Sequence, residues 1–232
     1  MKRILLKLSG EALSNNSGEI YDNTFVDRVA GAIKTCTDEG YQIAVVVGAG
    51  NIWRGRQGGE MDRTDADRMG MLATVINSIC LKDALVRAGG SAVVMSAVPM
   101  VPYAEVYTSD KAREYLGSGK VVIFGAGLGI PFLSTDTAGA VRAAEIGADA
   151  MLMAKNIDYI YTADPRVDPT AKKLEVIKAS EVLALNLRAI DATATAFCLS
   201  NGMPIRVFGL SSPEDIVAAV RGDKVGTVVL AE

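Results

Sequence analysis

The sequence predicts an α/β fold in which a largely parallel sheet is sandwiched between helices. Three observations carry the prediction. Short apolar runs such as "QIAVVV" (42–47) alternate with longer amphipathic stretches, the rhythm of βαβ units. The runs are aliphatic throughout and lack polar alternation, as strands buried on both faces do. Helix punctuation falls between them, with Gly40 and Gly89-Gly90 as stops and Ser134-Thr135-Asp136 as a start. With 232 residues, half of them apolar, the chain can bury the core of one large domain.

Taken in order, "RILLKLS" (3–9) reads as the first strand and 24–39 as a helix closed by Gly40. The strand at 42–47 follows, then a helix over 64–88 with Leu72, Val75, Ile76 and Ile79 at helical spacing. "SAVVMS" (91–96), "KVVIF" (120–124) and "DAMLMA" (149–154) are strands, with a helix over 135–147 before the last of them. Residues 156–180 break the rhythm, and "YTADPRVDPTAK" (161–172), with two prolines and four charges, is expected to be a surface loop. "PIRVF" (204–208) and "GTVVL" (226–230) are further strands, and "SSPED" (211–215) opens a helix with Ser212 as N-cap and Pro213 as first helical residue. No repeat, low-complexity tract or linker divides the chain.

Composition excludes several chemistries. The chain has no histidine, which removes Ser-His and Cys-His catalysis and imidazole metal sites. Cys36, Cys80 and Cys198 lie far apart with no zinc or redox spacing, and read as small core residues. A net charge of −3 with interspersed signs argues against a nucleic-acid surface. Lys7 interrupts the apolar N-terminal stretch, so no secretory signal is read there. No run reaches the ~20 apolar residues of a membrane span. The expectation is a cytoplasmic protein with no nucleic-acid or membrane partner.

Three strands end in glycine: Gly10 after the first, Gly48 and Gly50 after the second, and Gly125, Gly127 and Gly129 after "VVIF". Each alone makes a tight turn. Three at the carboxyl edge of one parallel sheet, one near Lys7 and one near Arg54, point to phosphate held by backbone N–H groups. No Walker A loop occurs. The dinucleotide motif fails too, because its third glycine position holds Trp53 after one turn and Ile130 after the other. Lys7 sits within an apolar strand, so its ammonium needs an anionic partner. Asp136, at a helix start beside the third turn, can supply one. Cations gathered around a moving phosphoryl group are what phosphoryl transfer requires.

"KLSGEAL" (7–13), "GAGNIWRG" (48–55), "MDRTDADRMGMLATVINS" (61–78), "PFLSTDTA" (131–138), "YTADPRVDP" (161–169) and "IDATA" (190–194) together resemble the bacterial uridylate kinases of the amino acid kinase superfamily. The similarity runs in order over nearly the whole chain. It implies transfer of phosphate from ATP to UMP, giving ADP and UDP in pyrimidine nucleotide synthesis. It also implies a three-layer α/β/α sandwich with a mainly parallel central sheet, formed as one domain. Residues 1–150 would mainly bind UMP and carry the catalytic lysine, and 151–232 would mainly bind ATP. A homohexamer is implied, with GTP as a possible activator and UTP as a possible inhibitor through a segment matching 15–20.

Carried over position by position, Lys7, Leu8, Ser9 and Gly10 match the first ATP-phosphate contact. Gly50 and Arg54 match further ATP-phosphate contacts. Asn156, Tyr161 and Asp164 match the ATP nucleoside pocket. Ala49, Asp67 and the stretch Leu128, Gly129, Ile130, Pro131, Phe132, Leu133, Ser134 and Thr135 match UMP contacts, with Asp67 on the ribose. Lys7, Asp136 and Arg54 take the catalytic roles, Asp136 by holding Lys7. No protein metal site is implied, since Mg²⁺ would be held mainly by the nucleotide phosphates.

The chain departs from the family pattern in several places. Leu128 and Ile130 stand where many relatives have Thr and Asn, and Tyr159 replaces a usual glycine. Ala49 also replaces a usual glycine, and is expected to keep negative φ and bind through its N–H. Two other readings stay open: a small-substrate kinase of the same fold acting on an acyl or carbamoyl acceptor, and a nucleotide-binding regulator without catalysis.

Overall fold

The computed structural model describes residues 2–14, 19–53 and 59–232. A nine-stranded sheet runs through the molecule in the order β4-β3-β5-β2-β1-β6-β10-β11-β9. Its central strands are β1 (Arg3–Leu8), β2 (Gln42–Val47), β5 (Val121–Gly125) and β6 (Ala150–Lys155). They are parallel to one another, as are β3 (Ala92–Ser96), β4 (Glu105–Val106) and β10 (Ile205–Gly209). β11 (Thr227–Leu230) pairs antiparallel with β10, and β9 (Val176–Lys178) runs with β11 at the edge.

Strand alternation sorts the core into two layers. Ile4, Leu6 and Leu8 of β1 pack with α1 (Asn23–Asp38), α2 (Arg63–Arg87) and α7 (Glu214–Arg221). Leu5 of β1 and Met151 and Met153 of β6 face the opposite layer of α3 (Ser109–Gly117), α4 (Thr135–Ile146), α5 (Ala179–Ala184) and α6 (Ala192–Ser200). The result is the expected three-layer sandwich. Sequence and structure agree on the seven longer strands and on α1, α2, α4 and α7 to within a residue or two.

The structure differs from the sequence reading in three places. The expected loop at 161–172 is closed by a small ribbon that the sequence did not predict, in which β7 (Ile160–Tyr161) and β8 (Lys173–Leu174) pair antiparallel, so that Tyr161 alone of that stretch lies in a strand. Ser212 does not cap α7, because its hydroxyl bonds the Glu214 carboxylate instead, while Pro213 has helical φ and ψ. α2 presents three of its four periodic apolar residues outward. Leu72, Ile76 and Ile79 are 51%, 52% and 39% exposed, Val75 is buried, and the inner face sets Val75, Leu81 and Leu85 beside small and polar residues such as Ala73, Thr74, Asn77 and Ser78. At 25 residues and a mean hydropathy of 1.4 over its most apolar stretch, α2 is long and apolar enough to cross a membrane by length and composition alone, although Arg68 and Lys82 interrupt it before any run of ~20 apolar residues. It nevertheless lies packed on α1, β2, β3 and β5.

Candidate active site

The three glycine turns lie side by side, because β5, β2 and β1 are neighbours in the sheet. At the first turn the chain enters a 3₁₀ turn, Gly10–Leu13, directly against the second. The Gly48 N–H donates to the Leu8 carbonyl at 2.8 Å. A side chain at Gly10 would put its Cβ 2.6 Å from both the Gly48 carbonyl oxygen and the Gly50 nitrogen. Glycine is therefore required there by space. Leu8 itself points into the core and contributes only backbone. The Ser9 hydroxyl is buried at this turn with no hydrogen-bond partner among the described residues.

The second turn is tied from behind by α2. Asn77, fully buried, donates to the Gly48 carbonyl at 2.7 Å and to Asn51 Oδ1 at 2.8 Å, and accepts from the Tyr21 hydroxyl at 2.8 Å. Burial pushes the Tyr21 phenol up to about 12, so it stays a donor. Ala49 does not have positive φ, as expected. Arg54 lies outside the described residues, as do 15–18 of the expected effector segment.

Lys7 follows from the alternation of β1. It shares the face of Leu5, which looks toward α4. Its ammonium lies 2.8 Å from Asp136 Oδ1, and the two residues are 6% and 7% exposed. α4 places that carboxylate. Ser134 caps the helix by accepting from the Asp136 and Thr137 N–H groups, each at 3.1 Å, so Asp136 sits in the first turn where the helix dipole favours an anion. The Ser134 hydroxyl and the Thr137 hydroxyl both reach Asp191, the N-cap of α6, the latter at 3.0 Å. Lys155, the last residue of β6, shares the face of Met151 and Met153 and closes on Asp136 Oδ2 at 2.6 Å. Burial alone would raise the Asp136 carboxyl, but Lys7 and Lys155 outweigh it and hold it below the ordinary carboxylate value. Burial pulls the Lys155 ammonium below the ordinary lysine value, opposed by Asp136.

Two cavities flank this centre. The larger, about 890 Å³, runs from Lys155 along 156–166 to 185–189 and 209–211. It contains the predicted Asn156, Tyr161 and Asp164. Asn156 Nδ2 donates to Glu11 Oε2 at 2.9 Å, joining this wall to the first turn. The Tyr161 hydroxyl donates to Asp158 Oδ1 at 2.8 Å, and the Asp164 carboxylate is held by Arg166 at 2.8 Å. Tyr159, the departure from the family pattern, lines the same cavity with the Lys173 ammonium 4.7 Å above its ring.

The smaller cavity, about 140 Å³, collects Ala49, Asp67, Leu128, Ile130, Leu133, Ser134 and Thr135 from the predicted set. Gly129, Pro131 and Phe132 belong to the same loop without lining it. That loop is held in left-handed conformations at Ala126, Gly127, Gly129 and Phe132, with φ of 60°, 57°, 74° and 69°. Two bonds from α2 fix it. The Thr74 hydroxyl accepts the Ala126 N–H at 2.8 Å, and Asp67 Oδ2 accepts the Phe132 N–H at 2.8 Å. Asp67 also pairs with Arg63 at 2.9 Å, while Asp65 bonds Arg68 at the surface and Asp62 caps the helix. The structure thus separates three acids that sequence spacing alone could not.

The amino acid kinase family model matches residues 2–209. The chain belongs to the amino acid kinase family. Among solved structures in this family, the UMP kinase of Bacillus anthracis is 34% identical and superposes with a TM-score of 0.96, covering 100% of this chain and 96% of that one. The UMP kinase of Ureaplasma parvum is 35% identical with a TM-score of 0.93, covering 99% and 98%. The uridylate kinase of Archaeoglobus fulgidus is more distant, at 28% identity and a TM-score of 0.75, covering 99% and 100%. Within the family fold, sequence reasoning missed Lys155, Asp191, Thr74 and Asn77. Lys155 gave no signal like that of Lys7, because it stands at the end of its apolar run and not inside it, and the pairing of β1 with β6 is what sets both ammonium groups on one face. Asp191 before "ATATA" carried an N-cap signal.

Proposed function

We propose that this chain is a UMP kinase, moving the terminal phosphoryl group of ATP to UMP and releasing ADP and UDP. The observation that carries the reading is a large and a small cavity flanking a buried lysine–carboxylate centre and glycine turns, in a chain aligned end to end with UMP kinases. The large cavity takes the donor nucleoside and the small one the acceptor.

A phosphate oxygen of UMP attacks the donor's terminal phosphorus. The bond from that phosphorus to the bridging oxygen breaks, and the electron pair leaves on ADP. Both partners are already anions, so no general base is needed, in keeping with a site without histidine. Lys7 stabilises the charge spread over the transferring group, and Asp136 fixes where its ammonium sits. N–H groups of the Gly10 and Gly50 turns, the Ser9 hydroxyl and Arg54 hold the donor phosphates. Asp67 accepts from the UMP ribose, and backbone groups of 128–135 with Thr135 bind the base and phosphate, since Leu128 and Ile130 offer no side-chain hydrogen bonds. The carboxylates beside the phosphate turn are already engaged, Asp136 by two ammonium groups and Glu11 by Asn156, which suits a Mg²⁺ ion carried on the nucleotide phosphates. Such an ion would offset phosphate charge during transfer.

The proposal extends to a homohexamer in the cytoplasm, activated by GTP and inhibited by UTP. The exposed stripe Leu72, Ile76 and Ile79 on α2 supports association of copies. Light scattering and UDP formation with added GTP or UTP test these points. The main reading is tested by ADP release with UMP, CMP, glutamate, aspartate and carbamate. UMP is expected to lead by at least tenfold. Turnover led by an amino acid or carbamate overturns the acceptor, and UMP binding without ADP release overturns the enzyme.

A further inference from the structure

The large cavity is lined by two tyrosines, Tyr159 and Tyr161, and the phosphoryl transfer described above uses neither ring. Both are organised by one carboxylate. Asp158 Oδ1 accepts the Tyr161 hydroxyl at 2.8 Å and the Tyr159 N–H at 3.0 Å, and its Oδ2 holds the Lys173 ammonium at 2.6 Å. Lys173 stands opposite Tyr161 in the register of β7 and β8, so the ribbon delivers that ammonium to a position 4.7 Å from the centre of the Tyr159 ring. The Asp158 backbone packs on Gly209 at the end of β10, where a Cβ would come within 3.1 Å of the Asp158 Cα. Tyr159 itself has no left-handed backbone to strain its placement. With a cation over one face, the ring keeps its other face for a partner, and the cation draws electron density away from that face. Such a face favours an electron-rich flat ring laid against it. Ile157, Leu185 and Leu187 supply apolar wall in the same cavity.

We propose that Tyr159 stacks on the purine base of the donor nucleotide, with Lys173 backing the ring from its other side, and that this contact sets the donor's affinity. The inference rests on the donor half of the proposed function. The phosphate turns hold one end of the donor and Tyr159 the other. Asp158 acts through both partners: it fixes the backbone that carries the ring and the ammonium that covers it. The alternative is that Tyr159 and Lys173 only brace the ribbon and touch no substrate.

Calorimetric titration of the full chain with ADP and with inorganic pyrophosphate, with Mg²⁺ present, separates the two, because pyrophosphate has no base to stack. Tyr159→Ala is expected to bind ADP at least fivefold more weakly than wild type, the low end for losing one base–aromatic stack, and pyrophosphate within twofold. Its KM for ATP should rise at least fivefold while KM for UMP stays within twofold. Tyr159→Phe keeps the ring and should recover most of the ADP affinity lost in Tyr159→Ala. Wild-type ADP affinity in Tyr159→Ala overturns the proposal and leaves the bracing role. Equal losses for ADP and pyrophosphate overturn it too, since they show a distorted site and no base contact. If Tyr159→Ala does not fold, Tyr159→Leu decides, because it keeps apolar bulk without a π face: a drop of threefold or more in the ADP-to-pyrophosphate affinity ratio supports stacking, and an unchanged ratio overturns it. Wild-type protein that binds ADP no better than pyrophosphate overturns the donor assignment together with this inference. Wild-type protein that prefers ADP, while Tyr159→Ala and Tyr159→Leu keep the same preference, overturns the stacking alone.

Discussion

The two cavities are built by different means. The larger is walled by the end of β6, a two-stranded ribbon and loops, and its polar side chains largely engage one another at the surface, as Asp164 with Arg166 and Asp158 with Tyr161 and Lys173. Exposed pairs of this kind contribute little, so shape and backbone define that side. The smaller is backed by α2, which bonds both the second phosphate turn and the strained acceptor loop through buried Asn77 and Thr74 and partly buried Asp67. One side is roomy and tolerant, the other narrow and held. Between them stands Asp136, bonded to a lysine from each of two adjacent strands.

The sharpest way to break this arrangement is at its centre. Lys7→Met should lower kcat by about a thousandfold, the upper range for losing one preorganised charge at a transferring group, with both KM values little changed. Asp136→Asn should cost as much activity and also stability. It leaves two buried ammonium groups facing each other, a loss on the order of 3–5 kcal/mol, or roughly 10 °C in melting temperature. The acid dependence follows in sign. Asp136 is held below the ordinary carboxylate value in the folded chain, so its contribution is complete above that value and is lost as pH falls through the lowered one. Melting curves of wild type and Asp136→Asn should differ by a constant amount above pH ~4 and converge below it. A gap unchanged down to the lowest pH at which both fold would refute the assignment.

Gly10→Ala tests the packing of the turns without touching charge. The added methyl meets backbone on two sides, so the first and second turns must move apart. A displacement of about 1 Å at a phosphate site costs about a hundredfold in turnover. Wild-type kinetics would mean that the turns are not the phosphate cradle.

Much of this centre was legible in the sequence, and the reasons for the gaps are physical. Buried parallel strands announce themselves by aliphatic runs, and Lys7 stands out because it interrupts one. Lys155 ends its strand, where a lysine reads as a solvated terminus, and only the pairing of β1 with β6 shows that it shares the Lys7 face. α5 and α6 are short, and α6, "ATATAFCLS", has no polar face to give it a period. On α2 Leu72, Ile76 and Ile79 point outward and only Val75 of the periodic apolar residues is buried, while the residues that bond the site, Thr74 and Asn77, are polar and give no apolar signal. The helix was readable; which side of it mattered was not.

A milder substitution distinguishes the acceptor side from the donor side. Asp67→Asn keeps one oxygen for the Phe132 N–H but loses the charge that pairs with Arg63 and, in the proposed complex, strengthens the ribose bonds. KM for UMP should rise about tenfold, the weight of a charge-assisted hydrogen bond, while KM for ATP stays within twofold. Equal effects on both would show that α2 does not divide the two substrates.

The smallest expected effect is at Ala49, which lines the acceptor cavity beside the second phosphate turn. A glycine there would be needed only if the backbone were left-handed or if the methyl met a neighbour. Ala49 is not among the residues with positive φ, so alanine carries no backbone strain. Ala49→Gly therefore removes one methyl from the cavity wall and leaves the N–H in place. Kinetics should stay within about threefold of wild type for both substrates. Stability should fall by about 0.5–1 kcal/mol, because glycine loses more conformational freedom on folding. A tenfold tighter KM for UMP in the glycine variant would show instead that the methyl narrows an already small acceptor cavity, and that this position tunes acceptor affinity in the chain.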